Sequence, residues 1–192
     1  MKVIKIAITG NPGVGKHTIG TAIAKKLNYH VIDLNKFVIM NNAIIVSKKQ
    51  ESFDVDIRRA SLALKTELRK NNDIIIVGHL APYLLRSNQV DFVAILRRSP
   101  SYLLQTYKKR NYTISKIKEN IAAEVLGVCS YDAIKQFGKS KIAEFDTSRK
   151  SPSEIVRCVI DALYNDSKRS FGFVDWLSTI ENEPHLLKLI LG

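Results

Sequence analysis

The feature that most constrains this chain is the run Gly10-Asn11-Pro12-Gly13-Val14-Gly15-Lys16-His17-Thr18. It fits the pattern G-x-x-x-x-G-K, follows a short apolar run and precedes residues with helical apolar spacing. Glycines without a Cβ let successive backbone N–H groups converge on a phosphate, and the following helix presents its positive end. The context predicts a phosphate-binding loop. The residues expected to contact phosphate are Gly13, Val14, Gly15, Lys16, His17 and Thr18.

Short β-branched runs alternate with longer helical patterns along most of the chain. This alternation is typical of a parallel sheet whose strands are joined by crossover helices. We therefore expect an α/β fold, a three-layer P-loop NTPase fold with a five-stranded parallel sheet. The expected strands are residues 3–9, 29–33, 73–77, 92–96 and 142–146.

Helix signals mark the later part of the chain. Ser151-Pro152-Ser153-Glu154 combines a serine cap, proline at the first helical position and glutamate at the third, and predicts a helix to about Tyr164. Residues 114–137 predict one or two helices. We place one domain at residues 1–170 and an amphipathic helical extension at 171–192, which Pro184 divides in two. This extension either packs on its own domain or binds a partner.

Composition limits the class of protein. The net charge of +12 favours phosphate-rich partners, although general solubility is an equal alternative. No secretory signal or membrane-spanning stretch is visible, so we expect a cytoplasmic protein. Cys129 and Cys158 lie in helical segments and are interpreted as small buried residues, not as a disulfide or a metal site.

Beyond the loop, several short motifs resemble the nucleoside monophosphate kinases. The closest resemblance is to the archaeal and eukaryotic ribosome-assembly adenylate kinases, known as adenylate kinase isoenzyme six, and it covers about residues 3–165. The motifs are Asp33-Leu34, Val55-Asp56-Ile57, His79, Leu96-Arg97, Arg110-Asn111-Tyr112 and the run from Lys116 to Glu124. Arg110-Asn111-Tyr112 stands where the family has R-G-Y.

The resemblance implies a short monophosphate-binding segment at about 30–53 and a short lid at about 108–118. It implies transfer of phosphate from ATP to AMP with Mg²⁺, accompanied by ATPase activity. It also implies a link to maturation of the small ribosomal subunit, with a ribosomal protein and pre-ribosomal RNA as partners. The alternatives are an ATP-gated assembly factor and a nucleotide-binding pseudoenzyme with weak or no turnover.

The same resemblance assigns candidate roles to individual residues. Lys16, Arg110 and His79 form the catalytic set, and Arg110 also contacts the nucleotide. Arg110 could instead belong to a solvated basic run, and His79 could be structural. The substrate-binding residues are Asp33, Lys36 and Asp56, although Asp33 could equally cap the following helix.

Two positions depart from the family pattern on the metal side of the site. His17 replaces the usual Ser or Thr after the lysine, and imidazole is a poor ligand for Mg²⁺. Thr18 follows, as in the G-K-G-T of adenylate kinases, in which phosphate oxygens and water hold most of the metal. Val77 ends the third strand where the family has an acid. Nucleotide binding is therefore a firmer expectation than efficient catalysis.

Overall fold

A computed structural model of the 192-residue chain describes residues 4–45 and 54–191. Five parallel strands form one sheet in the order β2-β5-β1-β6-β7, and β3 and β4 form a separate antiparallel hairpin. The strands are β1 (Lys5–Thr9), β2 (His30–Asp33), β3 (Ile44–Ile45), β4 (Asp54–Val55), β5 (Ile74–Val77), β6 (Phe92–Arg97) and β7 (Ile142–Asp146). The predicted five-stranded parallel sheet is confirmed; the start predicted at residue 3 lies outside the described residues.

Helices cover both faces of this sheet and complete three layers. They are α1 (Lys16–Leu27), α2 (Leu34–Met40), α3 (Ile57–Lys70), α4 (Ala81–Leu84), α5 (Pro100–Lys109), α6 (Ile114–Val125), α7 (Val128–Phe137), α8 (Pro152–Tyr164), α9 (Trp176–Glu181) and α10 (Pro184–Leu191). No helix among residues 4–45 and 54–191 is both long and apolar enough to cross a membrane.

The strands are apolar along their whole length because both of their faces are buried. In β5, Ile75 and Val77 pack with α1, α6 and α8, whereas Ile74 and Ile76 pack with α3, α4 and α7. The same alternation runs through β1 and β6. A parallel sheet between two helical layers produces this pattern, and it explains why the strands were visible as continuous β-branched runs.

Local signals set two of the helix boundaries. Ser151 Oγ accepts from the Glu154 N–H and the Glu154 carboxylate accepts from the Ser151 N–H, so the predicted cap starts α8. The predicted helical stretch 114–137 is two helices. They are separated at Gly127, which has a φ of +66°.

The hairpin was not predicted, because strands of two residues carry no recognisable period. Ile44 pairs with Val55, and α2 leads into the hairpin while α3 follows it. The predicted monophosphate-binding segment therefore contains α2 and β3. Its last part, residues 46–53, lies outside the described residues.

The two C-terminal helices pack against the helical layer that contains α1 and α6. Ile180 in α9 and Leu186 in α10 are buried in the same core as the interior residues of α6. Glu183, between the two helices, accepts a hydrogen bond from Ser101 at the start of α5. The extension therefore packs on the rest of the protein through both apolar and polar contacts.

Helix α1 approaches the sheet very closely at one point. A Cβ added to Gly20 would lie 2.6 Å from Cγ2 of Val77, which is itself buried in β5. Valine is stiff at χ1, so it cannot swing away without disturbing the core. This contact brings the helix that follows the phosphate-binding loop directly onto the sheet.

We predict that Gly20→Ala lowers the free energy of unfolding by about 1–3 kcal/mol, although alanine favours a helix over glycine. Chemical denaturation followed by circular dichroism measures the change. Thr21→Ala, at an exposed position of the same helix, is the control and should leave stability nearly unchanged. Equal stability of Gly20→Ala and wild type would contradict the close contact.

Candidate functional site

The glycine loop follows β1 at the carboxyl edge of the parallel sheet. Strands β2 and β5 lie on one side of β1, and β6 and β7 lie on the other. The carboxyl edge is the one at which open α/β sheets bind their ligands. Gly10 has a φ of +135°, and a Cβ there would lie 2.2 Å from the carbonyl oxygen of Leu96. Glycine is therefore required for the chain to turn from β1 into the loop beside β6.

Three carbonyl groups of the loop accept hydrogen bonds from side chains of surrounding elements. A peptide whose carbonyl is fixed outward leaves its N–H available on the inner side, where an anion can bind. The three hydrogen bonds are Tyr107 Oη to Pro12 O (2.6 Å), Thr147 Oγ1 to Val14 O (2.9 Å) and Arg98 Nη1 to Gly13 O (3.4 Å).

Lys16 is the buried cation of the loop. Its Nζ donates to the carbonyl oxygen of Asn11 at 2.8 Å. Burial lowers the pKa of Lys16 to about 8, and the nearby positive charge of Arg110 acts in the same direction, while the negative charge of Glu124 partly opposes them. A polyphosphate at the loop would reverse this effect by stabilising the ammonium.

Arg110 lies close enough to Lys16 for its charge to lower the pKa of the lysine. Arg110 follows the last residue of α5 and is exposed to solvent. Tyr107 stacks on Tyr112 with ring centroids 5.3 Å apart, and Lys116 lies 4.5 Å from the centre of the Tyr112 ring. Because Tyr107 also bonds Pro12, the base of the predicted lid is anchored to the loop.

His79 lies between Lys16 and a separate pocket. It is half-buried, and burial together with the Lys16 charge lowers its pKa to about 4. His79 is thus neutral at physiological pH, so it can exchange hydrogen bonds but brings no positive charge. The pocket beside it has a volume of about 480 Å³. Its largely apolar walls include Asn35, Val38, Ile44, Val55, Ile57 and Tyr83.

Asp33 is the helix cap that the sequence left as one of two alternatives. Its Oδ1 accepts from the backbone N–H groups of Asn35 (2.9 Å) and Lys36 (3.2 Å), and Oδ2 is hydrogen-bonded to His17 Nε2. Burial alone would raise the pKa of Asp33, but the hydrogen bonds from His17 and the two backbone groups outweigh it and lower the pKa. Both carboxylate oxygens are therefore engaged in protein contacts.

The remaining predicted substrate residues are not gathered at the His79 pocket. Lys36 is exposed on another face of α2, where it lines a second pocket of about 720 Å³ together with His17 and Asp33. Asp56 caps α3 by accepting from the Arg59 N–H at 2.9 Å. In this structure α2 separates Lys36 from the pocket that His79 faces.

The metal side of the site offers few protein oxygens. Val77 is buried in the apolar core, and His17 is bonded to Asp33. Thr18, exposed in the first turn of α1, carries a hydroxyl two residues beyond Lys16. Within residues 4–45 and 54–191, no group of three His, Cys, Asp or Glu side chains could hold a metal ion. A divalent cation here would depend mainly on phosphate oxygens and water.

The sequence did not lead us to predict the residues that hold Asn11 of the loop, which are Glu124 and Cys129. Asn11 Nδ2 donates to Glu124 Oε2 at 2.7 Å, and the Cys129 thiol donates to Asn11 Oδ1 at 3.2 Å. Burial raises the pKa of Cys129 to about 12, which keeps the thiol protonated as this donor. A signal was available, because Glu124 follows Ile117 and Ile121 at helical spacing and so falls on the buried face of α6.

Several solved structures have a fold similar to that of this chain. The chain is similar to a shikimate kinase from Aquifex aeolicus, with a TM-score of 0.56 and 18% identity over 85% of this chain and 98% of that one. It is also similar to a shikimate kinase from Acinetobacter baumannii, with a TM-score of 0.62 and 16% identity over 85% and 94% of the two chains. At these identities the likeness concerns the fold alone.

Two archaeal proteins named "Putative adenylate kinase" match nearly end to end. The protein from Thermococcus kodakarensis is 30% identical over 184 residues, 96% of this chain and 99% of its own. The protein from Pyrococcus abyssi is 33% identical over 184 residues, 96% of this chain and 97% of its own. A family model described as an AAA domain matches residues 6–127. The chain therefore belongs to the P-loop family that this AAA domain model describes, together with these archaeal relatives.

Proposed function

We propose that this protein is a nucleoside monophosphate kinase that transfers the terminal phosphate of ATP to AMP. One observation carries the proposal: Lys16 of the phosphate-binding loop lies close enough to His79 to lower its pKa, and His79 lines the largely apolar pocket. In this proposal the donor site and the acceptor site meet at one edge of the sheet. The names of the archaeal relatives support the same activity.

The proposed chemistry rests on position and charge, and it requires no covalent intermediate. The loop N–H groups and Lys16 bind the outer phosphates of ATP, where negative charge develops during transfer. Arg110 contributes a second positive charge from the lid. Mg²⁺ would supply further positive charge, and the Thr18 hydroxyl in the first turn of α1 would contact its coordination sphere. Neutral His79 donates or accepts a hydrogen bond at the acceptor side.

The acceptor nucleoside occupies the pocket beside His79 in this proposal. A volume of about 480 Å³ with mostly apolar walls suits a base and ribose. Asp33 and Asp56 act indirectly, because they cap the two helices that flank the pocket. Lys36 reaches the acceptor phosphate only if α2 rotates when the segment 30–53 closes. Closure of this segment and of the lid 108–118 excludes water that would compete for the phosphate.

We predict that Arg110→Ala lowers kcat by about 10³-fold, because it removes charge that stabilises the transferring group. Lys109→Ala is the matched control from the same basic run, and it should change kcat by no more than about twofold, as expected of a solvated charge. A coupled assay with ATP, Mg²⁺ and AMP measures both variants. Wild-type turnover no higher than that of Lys16→Ala would exclude the kinase proposal.

The lowered pKa of Lys16 predicts a pH-dependent affinity for ATP. Free Lys16 loses its proton near pH 8, and ATP binds the protonated form, so binding takes up a proton above that pH. Affinity should be constant below about pH 7.5 and fall by up to about tenfold per pH unit above pH 8. Calorimetric titration with a non-hydrolysable ATP analogue between pH 7 and 9.5 measures the slope.

Lys16→Arg is the control for this pH dependence, because a guanidinium keeps its charge throughout the range. Its affinity should stay level with pH, whatever its absolute value. A wild-type affinity that is also level up to pH 9.5 would contradict a lysine pKa near 8.

A second candidate is an ATP-gated assembly factor of the small ribosomal subunit with slow ATPase activity. Buried Val77 and the His17–Asp33 pair favour it, because both leave the metal side with few oxygens and a switch tolerates slow turnover. The charge of +12 suits work near RNA.

Two measurements separate the second candidate from the kinase. We expect a gated factor to bind small-subunit ribosomal proteins in an ATP-dependent manner and to hydrolyse ATP without AMP. Pull-downs with and without ATP, using Lys16→Ala as the control, test the first property. Turnover that requires AMP, together with no nucleotide-dependent partner, would exclude this candidate.

A further inference from the structure

We infer that Trp176, in the C-terminal helices, is a positioning residue that raises the affinity of the loop for ATP by acting through Glu124 and Asn11. The inference rests on the proposed binding of ATP. It concerns a segment more than 150 residues beyond the loop in sequence, which is connected to the loop through the buried carboxylate of Glu124.

The connection is a continuous series of hydrogen bonds. Trp176 Nε1 donates to Glu124 Oε1 at 3.0 Å, and Asn11 Nδ2 donates to Glu124 Oε2 at 2.7 Å. The carbonyl oxygen of Asn11 accepts from Lys16 Nζ at 2.8 Å. Each oxygen of one carboxylate therefore binds a different element, so the orientation of Glu124 depends on both.

Glu124 is held by donors from several parts of the chain and is closed to solvent. It is completely buried, and Oε1 also accepts from Arg97 Nε at 2.7 Å and from the Arg98 N–H at 3.2 Å. A buried carboxylate that loses one donor must turn towards those that remain, because solvent cannot replace the missing bond. Such a turn moves Oε2 relative to Asn11 and disturbs the residue that holds Lys16.

The C-terminal segment is also fixed to the second acid of the same network. The Gly172 N–H donates to Glu144 Oε2 at 2.8 Å, and the Glu144 N–H donates to Ser170 O at 2.9 Å. Arg97 Nη1 bonds the other oxygen of Glu144 at 3.1 Å. The segment thus enters the network at two points, and its position is coupled to the side chains below the loop.

The effect should be specific to ATP. Trp176 is connected to the loop and to Lys16 through Glu124 and Asn11. The pocket proposed for the monophosphate is lined by other elements, α2, the hairpin, α3 and α4. We expect Trp176→Phe, which keeps an aromatic ring but removes the N–H donor, to raise the dissociation constant for a non-hydrolysable ATP analogue by about tenfold. The KM for AMP should change by less than about twofold, since no contact of that pocket is removed.

Ile180→Val is the matched control for packing. Ile180 is buried in α9, one turn beyond Trp176, and makes none of the bonds to Glu124. Both variants should lower the melting temperature, but only Trp176→Phe should weaken nucleotide binding in calorimetry. Equal affinities of the two variants would overturn the inference while leaving ATP binding, and hence the proposed function, intact.

Wild-type protein offers an independent test, because Trp176 is the sole tryptophan of the chain. Saturation with the ATP analogue should change its fluorescence emission, and AMP alone or the Lys16→Ala variant should not. Calorimetric binding of the analogue without any change in emission would overturn the inference. Absence of binding in calorimetry would overturn the proposed function as well.

Discussion

The end of the sheet that carries the glycine loop depends on one buried guanidinium placed between two buried carboxylates. Arg97, at the end of β6, donates to Glu124 of α6 and to Glu144 of β7. Desolvation of these charges is costly unless every donor and acceptor finds a partner, and removing one partner typically costs about 3–5 kcal/mol. Ser130 and the Asn11 and Trp176 side chains supply further partners. Satisfying the charges therefore forces the loop, three helices and two strands into one arrangement.

That arrangement explains why the glycine loop can be rigid although it is an irregular segment. Three of its carbonyls are bonded by Tyr107, Thr147 and Arg98, and its buried Asn11 side chain is held by Glu124 and Cys129. A site that pre-orients its donors does not spend binding energy on ordering them. The strand-loop-helix motif forms the phosphate-binding loop, but neighbouring elements fix the shape of that loop.

Sequence patterns predicted the parts of the structure that are determined locally. The β-branched runs became the five strands, and the Ser151 cap began α8, because each signal lies within a few residues of the element it specifies. The pairing of His17 with Asp33, and of Trp176 with Glu124, joins residues far apart in sequence. Such partners are set by tertiary packing, which no local period encodes.

The close approach of α1 gives a physical reason for the missing acid at the end of β5. Val77 packs against Gly20 within the apolar core, so a carboxylate in its place would be buried against a helix with no partner for its charge. Asp33, at the same register on the neighbouring strand, is occupied by His17 and by its capping bonds. In the proposed function, neutralisation of the phosphates by the protein therefore rests mainly on Lys16 and Arg110. The lowered pKa of Lys16 then matters for that proposal, because one of the two positive charges is a group that titrates near pH 8.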